Sequence, residues 1–388
     1  MRLLKPEITE RDGTASYSVR VDSEQGVRKL WYRLGGEHAA MISERADAAL
    51  CALLIPAMNA GEDIHVDGVV SERLYYNLSG MYQSVAKLVM PWLKQVRIRA
   101  EHVSPSMARS NGVATGFSAG IDSFCVLGDH HYADPVPGYR LTHLLYSNVG
   151  SHGAGDGAER LFRERYERLK PTAERLSLPF IAVNSNLDEF YSGMGFMQTH
   201  TPRSTSVAHM LQGGIGRFMY ASSLRCADTF VGPSNGSART EAVTLPLLSS
   251  DSLDAFSVGG QYSRVEKTRR VAEIADSYDS LDVCAKAVHA GNCSKCWKCA
   301  RTLLTLEIAG YIDRYAGTFD LDTYNSARAE YMLKVLRSTE LLELEIVQFA
   351  RDVNFQMPLS TRIAARLDLS RVRAFVGRAK LALGGRSA

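Results

Sequence analysis

A short segment of small residues, hydroxyls and one acid stands between two apolar stretches and could bind phosphate. Residues 116–127 read GFSAGIDSFCVL, which predicts a strand ending at Phe117 and a helix beginning at Ser123. The first N–H groups of a helix have no partner within it, and small residues let a polyanion approach them closely. The predicted phosphate-binding residues are Ser118, Ala119, Gly120, Ile121, Asp122 and Ser123.

Asp122 is the one acid in this loop, and anion binding alone does not explain it. A carboxylate beside phosphates has a purpose if it holds Mg²⁺, which bridges carboxylate and phosphate oxygens. Asp122 is therefore predicted to hold Mg²⁺. The alternative is a turn from strand to helix that Ser and Asp side chains cap, with no ligand.

Four of the seven cysteines lie close together with the spacing C-x8-C-x2-C-x2-C. Clustered cysteines in a protein of the cytosol favour a metal site over disulfides. Four thiolates suit tetrahedral Zn²⁺, while a [4Fe–4S] cluster and unrelated thiols are the alternatives. The predicted metal ligands are Cys284, Cys293, Cys296 and Cys299.

The elements that must position these residues form an alternating pattern from residue 111 onward. Helical stretches such as 156–176 and 205–224 separate short apolar runs, and the predicted strands are 113–117, 142–146, 180–183, 229–231 and 255–258. This order implies right-handed crossovers and a parallel sheet that binds ligands at the carboxyl ends of its strands. The predicted fold class is α/β, a parallel sheet with helices on both faces.

Three regions are predicted along the chain. Residues 1–110 mix strand and helix patterns and form an α+β unit of unknown role; residues 111–283 form the α/β domain. Residues 284–388 hold the four cysteines and a helical region. Its basic tail from residue 361 is either an amphipathic helix with a solvated face or a contact with nucleic acid or another subunit.

The loop resembles the Ser-Gly-Gly-x-Asp-Ser signature of the PP-loop ATP pyrophosphatases (N-type), with Ala119 where the second residue is usually Gly. The loop followed by the four-cysteine spacing and then Arg resembles the 7-cyano-7-deazaguanine synthase family. That family converts a carboxylated deazaguanine to an amide and then a nitrile, using ATP and ammonia. The resemblance covers roughly residues 112–305, and the extra terminal regions indicate a divergent paralogue, like the family's relatives in anti-phage operons and specialised biosynthetic clusters.

This resemblance implies an adenine nucleotide alpha-hydrolase-like fold with ATP, Mg²⁺ and structural Zn²⁺ as ligands. Tyr146 and Ser147, at the end of the second strand, would border adenine. A carboxylate or amide oxygen of the substrate would attack the α-phosphate, pyrophosphate would leave, and a nitrogen nucleophile would displace AMP. The implied acceptor is a deazaguanine-like small molecule or a protein. The residues implied to hold ATP and Mg²⁺ are Ser118, Gly120, Asp122 and Ser123.

Three basic residues are candidates for stabilising charge in this reaction. Arg264 and Lys267 lie in the segment GGQYSRVEKTRR and could face the α-phosphate, or could form a basic helix face. Arg203 lies in THTPRST, which predicts a polar loop before a helix. It could reach a phosphate or a substrate carboxylate, or could belong to a capped helix start. The segment 232–240, GPSNGSART, is a candidate substrate loop.

Composition excludes several classes of protein. The 388 residues are 45% hydrophobic and 22% charged, as in globular proteins of more than one domain. A net charge of +3 does not by itself indicate nucleic acid, and no apolar run reaches the roughly 18 residues that span a bilayer. The N-terminus lacks the apolar core of a signal peptide, so a cytoplasmic location and no membrane partner are expected.

Two rivals to the adenylating enzyme follow from the same residues. A PP-loop sulfurtransferase acting on tRNA would use the basic tail to bind nucleic acid, although the cysteine spacing does not favour it. A scaffold that binds nucleotide or a partner protein without turnover would fit the Ala119 departure. A homo-oligomer is expected in each case.

Overall fold

The computed structural model describes residues 1–105, 108–153, 155–285 and 291–367. Within these ranges eleven strands join in one sheet. Their bounds are β1 (Arg2–Leu3), β2 (Glu7–Arg11), β3 (Thr14–Ser23), β4 (Gly26–Gly35), β5 (Ile64–Ser71), β6 (Ile98–Ser104), β7 (Gly112–Gly116), β8 (His143–Asn148), β9 (Phe180–Ser185), β10 (Ile215–Ala221) and β11 (Asp254–Val258).

Helices connect and follow these strands. Their bounds are α1 (Asp47–Ala60), α2 (Glu72–Ser79), α3 (Met81–Val89), α4 (Ile121–Leu127), α5 (Asp156–Arg175), α6 (Phe196–Met210), α7 (Glu241–Leu247), α8 (Arg264–Val271), α9 (Trp297–Ile308), α10 (Leu321–Arg337), α11 (Leu341–Asp352) and α12 (Leu359–Arg366). No helix of the described ranges is both long enough and apolar enough to cross a membrane. The predicted basic tail continues past α12 into residues 368–388, which lie outside the described ranges.

Five parallel strands carry the α/β part of the sheet, in the order β11-β10-β7-β8-β9. The chain therefore builds the sheet outward from β7 through β8 and β9, then returns to the other side of β7 for β10 and β11. Right-handed crossovers in the two directions place α4 and α5 on one face and α6 and α7 on the other. The strand order therefore reverses between β7 and β10, and at such a reversal the carboxyl edge of an α/β sheet has the crevice in which ligands bind.

Four of the five predicted α/β strands are confirmed, and one is wrong. The fourth strand is β10, not residues 229–231. The apolar run of β10 reads as part of an amphipathic helix when taken with residues 205–214, but α6 ends at Met210 and Gly213 and Gly214 follow it. Phe230, the large apolar residue of the mispredicted strand, is half exposed.

The strands of residues 1–110 extend the same sheet. β4 pairs antiparallel with β9, with Tyr32 opposite Ser185, and the sheet continues through β3, β1, β5 and β6. α1 packs on α6, and its residues from Asp47 to Met58 are all buried. A helix that is apolar all round needs partners on every side, so α1 depends on the α/β half for part of its burial.

Two compact units make up the chain. The first runs from Met1 to Asp282 and also takes in Gly291, and the second contains Cys284 and the residues from Asn292 onward. The predicted boundary at residue 110 therefore lies inside the first unit. The second unit is helical, with α9 buried on its face of Leu303, Leu304 and Leu306.

Removal of residues 1–110 is expected to prevent the rest of the first unit from folding cooperatively, because it exposes the edge of β9 and the face of α6 that packs on α1. A fragment of residues 111–388 should bind the dye ANS and lack a sharp near-UV thermal transition, while the full chain shows both tertiary signal and cooperativity. A monomeric fragment with a cooperative transition would contradict this expectation and support the predicted boundary.

Candidate functional site

The loop between β7 and α4 holds one residue in a conformation that favours glycine. Ala119 has a φ of 54° and is fully buried. An L-residue in the left-handed region costs about 1–2 kcal/mol relative to glycine. The Ala119 carbonyl accepts the N–H of Asp282 at 2.8 Å, one contact that holds this backbone in place. Glycine would adopt this turn without strain, and Ala119 adopts it here at that cost.

The remaining residues of the loop divide between its surface and its interior. Ser118 is exposed, and Gly120 and Asp122 are partly exposed. Ile121 is buried, and the Ser123 hydroxyl donates to the Gly120 carbonyl at 3.0 Å. Ile121 and Ser123 therefore fix the start of α4, while the other positions present hydroxyl, backbone and carboxylate to the crevice.

Asp122 lies between two cations at the crevice between the β7 and β10 loops. Arg264 holds both of its carboxylate oxygens, with two N–O distances of 2.9 Å, and Lys267 Nζ lies 3.2 Å from Oδ1. Lys267 also donates to the Ser222 carbonyl, and Arg264 donates to the Ser223 carbonyl at 2.9 Å. These contacts join the loop after β7, the segment after β10 and the first turn of α8.

The charges of this cluster stabilise one another. Burial would raise the pKa of Asp122, but Arg264 and Lys267 outweigh it and hold that pKa below its usual value. The Lys267 side chain is only 1% exposed, whereas that of Asp122 is 27% exposed. The ammonium is thus a buried charge whose partner reaches toward solvent.

The start of α8 explains why both cations face the same carboxylate. Ser263 caps the helix by accepting the N–H of Glu266, and the Glu266 side chain accepts the N–H of Ser263 in return. Arg264 and Lys267 stand three residues apart in the turn that this capping box fixes, so they lie on one face. Three of the four predicted catalytic residues, Asp122, Arg264 and Lys267, are therefore in one cluster.

Arg203, the fourth, lies elsewhere and is fully buried. Its guanidinium donates to the Val149 carbonyl at 3.0 Å, to Asp188 at 2.5 Å and to the Thr199 hydroxyl at 2.9 Å. It also stacks over the Tyr191 ring at 3.7 Å. These contacts tie α6 to the end of β8 and to the segment after β9.

The predicted polar loop at 199–205 is an internal part of α6. Pro202 lies within α6, although proline disfavours the helix interior. Packing on α1 and hydrogen bonds from the Thr199 hydroxyl to the Gly195 carbonyl and from the Thr205 hydroxyl to the Thr201 carbonyl offset that cost. The predicted polar loop is therefore wrong, because these residues belong to a buried helix. The role predicted for Arg203 stays a prediction.

Tyr146 and Ser147 do not form an open platform for adenine in this structure. Tyr146 is buried and stacks on Phe162, with 5.2 Å between ring centroids, and its hydroxyl contacts His152 Nε2 at 2.9 Å. Burial, and then the charge of Arg165, lowers the pKa of His152 to about 4, so the imidazole is neutral. Ser147 is partly buried, and the strand alternation directs it to the opposite face from Tyr146.

Glu241, at the start of α7, is the residue that sequence reasoning missed. It is 1% exposed and accepts both the N–H of Ser223 at 3.2 Å and the Ser223 hydroxyl at 3.4 Å. Burial, with repulsion from Asp122, raises its pKa to about 8, and Ser223 and Lys267 only partly offset this. Nothing in its local sequence signals burial, because a glutamate after a Gly/Ser-rich loop is usually solvated.

A buried network surrounds this carboxylate on the side of α6. His200 Nε2 lies 3.0 Å from the Ser237 hydroxyl and 4.0 Å from Glu241, and Nδ1 lies 2.6 Å from the Tyr220 hydroxyl. Burial, and then the charge of Arg203, lowers the pKa of His200 to about 4. The predicted substrate loop at 232–240 thus anchors one serine, Ser237, in a network of neutral hydrogen-bonding groups.

In the second unit the four predicted ligands meet. The sulfur atoms of Cys284, Cys293, Cys296 and Cys299 all lie within 4.8 Å of one another and could hold a metal ion. None of the four forms a disulfide bond. Cys296 donates its N–H to Cys293 Sγ at 3.3 Å, and Ser294 between them has a φ of 59°. This tight turn aims two sulfurs at one point.

Replacement of Glu241 by glutamine is expected to stabilise the protein above about pH 4.5, and increasingly so up to about pH 8. The folded protein keeps Glu241 protonated up to about pH 8, whereas the unfolded chain ionises it near 4.5. The folded state binds more protons between these values, so the free energy of unfolding falls as pH rises through them. Glu241→Gln removes that loss and should raise Tm by several degrees at pH 8 but little at pH 4.

The matched control is Glu343→Gln, which alters a buried glutamate of the second unit paired with Lys334 at 3.8 Å. Differential scanning calorimetry of both variants and the wild type at the two pH values makes the comparison. An equal Tm change for Glu241→Gln at pH 4 and pH 8 would contradict the burial argument.

The purified chain is expected to carry one metal ion at the four cysteines, and chelation should lower the Tm of the second unit by roughly 10 °C or more, because metal binding adds directly to folding free energy. Mass spectrometry of metals checks the content. Cys296→Ser should lose the metal, and Cys226→Ser, which alters an exposed cysteine outside the cluster, should keep it. Metal content unchanged in Cys296→Ser would refute the assignment.

Comparisons of the chain with protein-family models, curated proteins and solved structures give no match. What this protein does must be inferred from its own residues. Those residues are an acid held by two cations at a sheet crevice, a buried glutamate beside them, and four thiols that converge on one point.

Proposed function

We propose that this protein is an ATP-dependent enzyme that adenylates a carboxylate or amide and transfers the activated group to a nitrogen nucleophile. The observation that supports it best is the cluster of Asp122, Arg264 and Lys267. It lies at the crevice where the chain reverses its direction of sheet growth, next to a loop whose residues present backbone and hydroxyl groups. Two cations, one acid and a small-residue loop are suited to a nucleotide triphosphate with a divalent cation.

The cations would stabilise negative charge that develops on the phosphate under attack. Lys267 is buried, so its charge acts through a medium of low dielectric and with little screening. Arg264 binds its present carboxylate through two nitrogens, a geometry that a phosphate can also accept. Because both groups are positioned before the ligand arrives, little reorganisation accompanies the reaction.

Asp122 would hold Mg²⁺, which supplies charge neutralisation between the phosphates. Both oxygens of Asp122 contact cations in the present structure. A metal ion fits there only if phosphate oxygens take over Arg264 and Lys267 at the same time. Metal and nucleotide binding are therefore coupled through this one carboxylate.

Zinc is the proposed metal of the second unit. A mononuclear tetrahedral site with Zn–S bonds of about 2.3 Å separates its sulfurs by about 3.8 Å. The sulfur–sulfur distances of 4.0 Å between Cys284 and Cys296 and 3.5 Å between Cys296 and Cys299 are close to this value. A four-iron cluster places iron and sulfide between its cysteine sulfurs and holds them further apart. The zinc would stabilise the fold, since all four ligands come from the protein.

The resemblance stated above supplies the substrate class, a deazaguanine-type acid, and a small molecule or a protein as acceptor. A tRNA sulfurtransferase is the second candidate. One observation favours it: Cys226, in the segment after β10, is an exposed thiol near the crevice. A persulfide on Cys226, or salt-dependent tRNA binding, would support that candidate.

Arg264→Met is expected to lower ATP–pyrophosphate exchange by about 10²-fold or more, because it removes charge from the α-phosphate. The assay uses 7-carboxy-7-deazaguanine with Mg·ATP and labelled pyrophosphate. Arg269→Met, which removes an exposed arginine from the same helix, is the control and should keep wild-type exchange. Nucleotide binding by calorimetry without exchange in the wild type would favour the scaffold, and full exchange in Arg264→Met would refute the assigned role.

A further inference from the structure

Ser223 connects the predicted phosphate side of the crevice with the buried Glu241. Its carbonyl accepts from Arg264 at 2.9 Å, while its N–H and its hydroxyl both donate to the Glu241 carboxylate. Ser223 is partly exposed and Glu241 is not. A hydroxyl of a partly exposed residue is thus hydrogen-bonded to an acid shielded from water.

Glu241 has no cation partner within hydrogen-bonding distance among the described residues, and burial raises the pKa of its carboxylate. The titratable or charged groups that face it are His200 from α6, Tyr220 from β10, Asp122 from α4 and Lys267 from α8. His200 is neutral, Asp122 repels the carboxylate, and Lys267 is engaged by Asp122. A glutamate with a purely structural role at such a place would be stabilised by a direct ion pair. The Glu241 carboxylate instead accepts hydrogen bonds from the N–H and the hydroxyl of one residue, Ser223.

We propose that the Ser223–Glu241 pair accepts the proton that a nitrogen nucleophile loses when it attacks the adenylate. This step rests on the proposed adenylation. The nitrogen forms a bond to the acyl carbon, the bond from that carbon to the phosphate oxygen breaks, and AMP leaves with the electron pair. One nitrogen-bound proton passes to Ser223 Oγ as the Ser223 proton passes to Glu241 Oε1.

The chemistry of the reactants favours a base over an acid at this position. AMP is a stable anion and leaves without protonation, whereas the attacking nitrogen becomes cationic and must lose a proton. A general base works best when its pKa lies near the working pH, and the pKa of Glu241 is raised to about 8. The substrate class implied for the second half of the reaction is ammonia or a primary amine.

The test separates the two halves of the reaction. The full-length wild type, Glu241→Gln and Ser223→Ala are each given 7-carboxy-7-deazaguanine and Mg·ATP, with ammonium chloride or hydroxylamine as nucleophile. Hydroxylamine is largely unprotonated and strongly nucleophilic at neutral pH, so it does not depend on a general base. Both variants should keep pyrophosphate exchange and hydroxamate formation and should lose about 10²-fold or more in the rate of amide formation from ammonia.

A pH profile distinguishes proton transfer from a structural effect. With the rate corrected to the concentration of free ammonia, the wild type should rise up to about pH 8 and then level, and Glu241→Gln should be flat. Glu343→Gln serves as the control and should match the wild type throughout. Since Glu241→Gln is also expected to raise Tm at pH 8, a loss of amide formation cannot then be attributed to unfolding.

Three outcomes would overturn the inference. Undiminished amide formation from ammonia in Glu241→Gln, with normal exchange, would refute the base and leave the adenylation intact. An equal loss of exchange, hydroxamate and amide would show a role in nucleotide binding or folding instead. Absence of exchange and hydroxamate in the wild type would refute the proposed function itself, and with it the step assigned to Ser223 and Glu241.

Discussion

The crevice depends on one ion cluster, in which the Asp122 carboxylate compensates the buried charge of Lys267. An ammonium shielded from water is strongly unfavourable without a partner, and here the partner comes from a different element of the sheet. The same carboxylate holds Arg264, and both cations bind carbonyls of the segment after β10. A single acid thus connects the two loops that border the crevice with α8, and any anionic ligand must exchange places with it.

Local patterns in the sequence predicted those groups of side chains whose members are close neighbours in the chain. The loop at 118–123, the four cysteines and the basic start of α8 are each a short run with fixed spacing, and the structure brings each run together. The proximity of Asp122 and Arg264 could be predicted because both residues follow predicted strands of one parallel sheet. The parallel sheet itself followed from alternating patterns, except where Gly213 and Gly214 separate α6 from β10 and the helical pattern concealed the change.

Burial was the property that the sequence could not supply. Arg203 and Tyr146 carry groups suited to a ligand, yet α6 and the aromatic side chains packed against Tyr146 cover them. Glu241 is the opposite case. Its neighbours in the sequence indicate an exposed residue, but tertiary packing buries it. Long-range contacts decide all three, and no window of the sequence contains both partners. The pairing of β4 with β9 could not be predicted from the sequence for the same reason, since roughly 150 residues separate the two strands.

The packing of α1 on α6 also matters while the protein is being synthesised. α1 leaves the ribosome long before α6, its packing partner, because their ends at Ala60 and Met210 are 150 residues apart. At a synthesis rate of about 5–20 residues per second, α1, the most apolar helix of the first unit, stays without its packing partner for on the order of ten seconds or more. During translation this stretch is the surface that a chaperone would bind, and the yield of native protein in a cell should follow chaperone supply more closely than final stability.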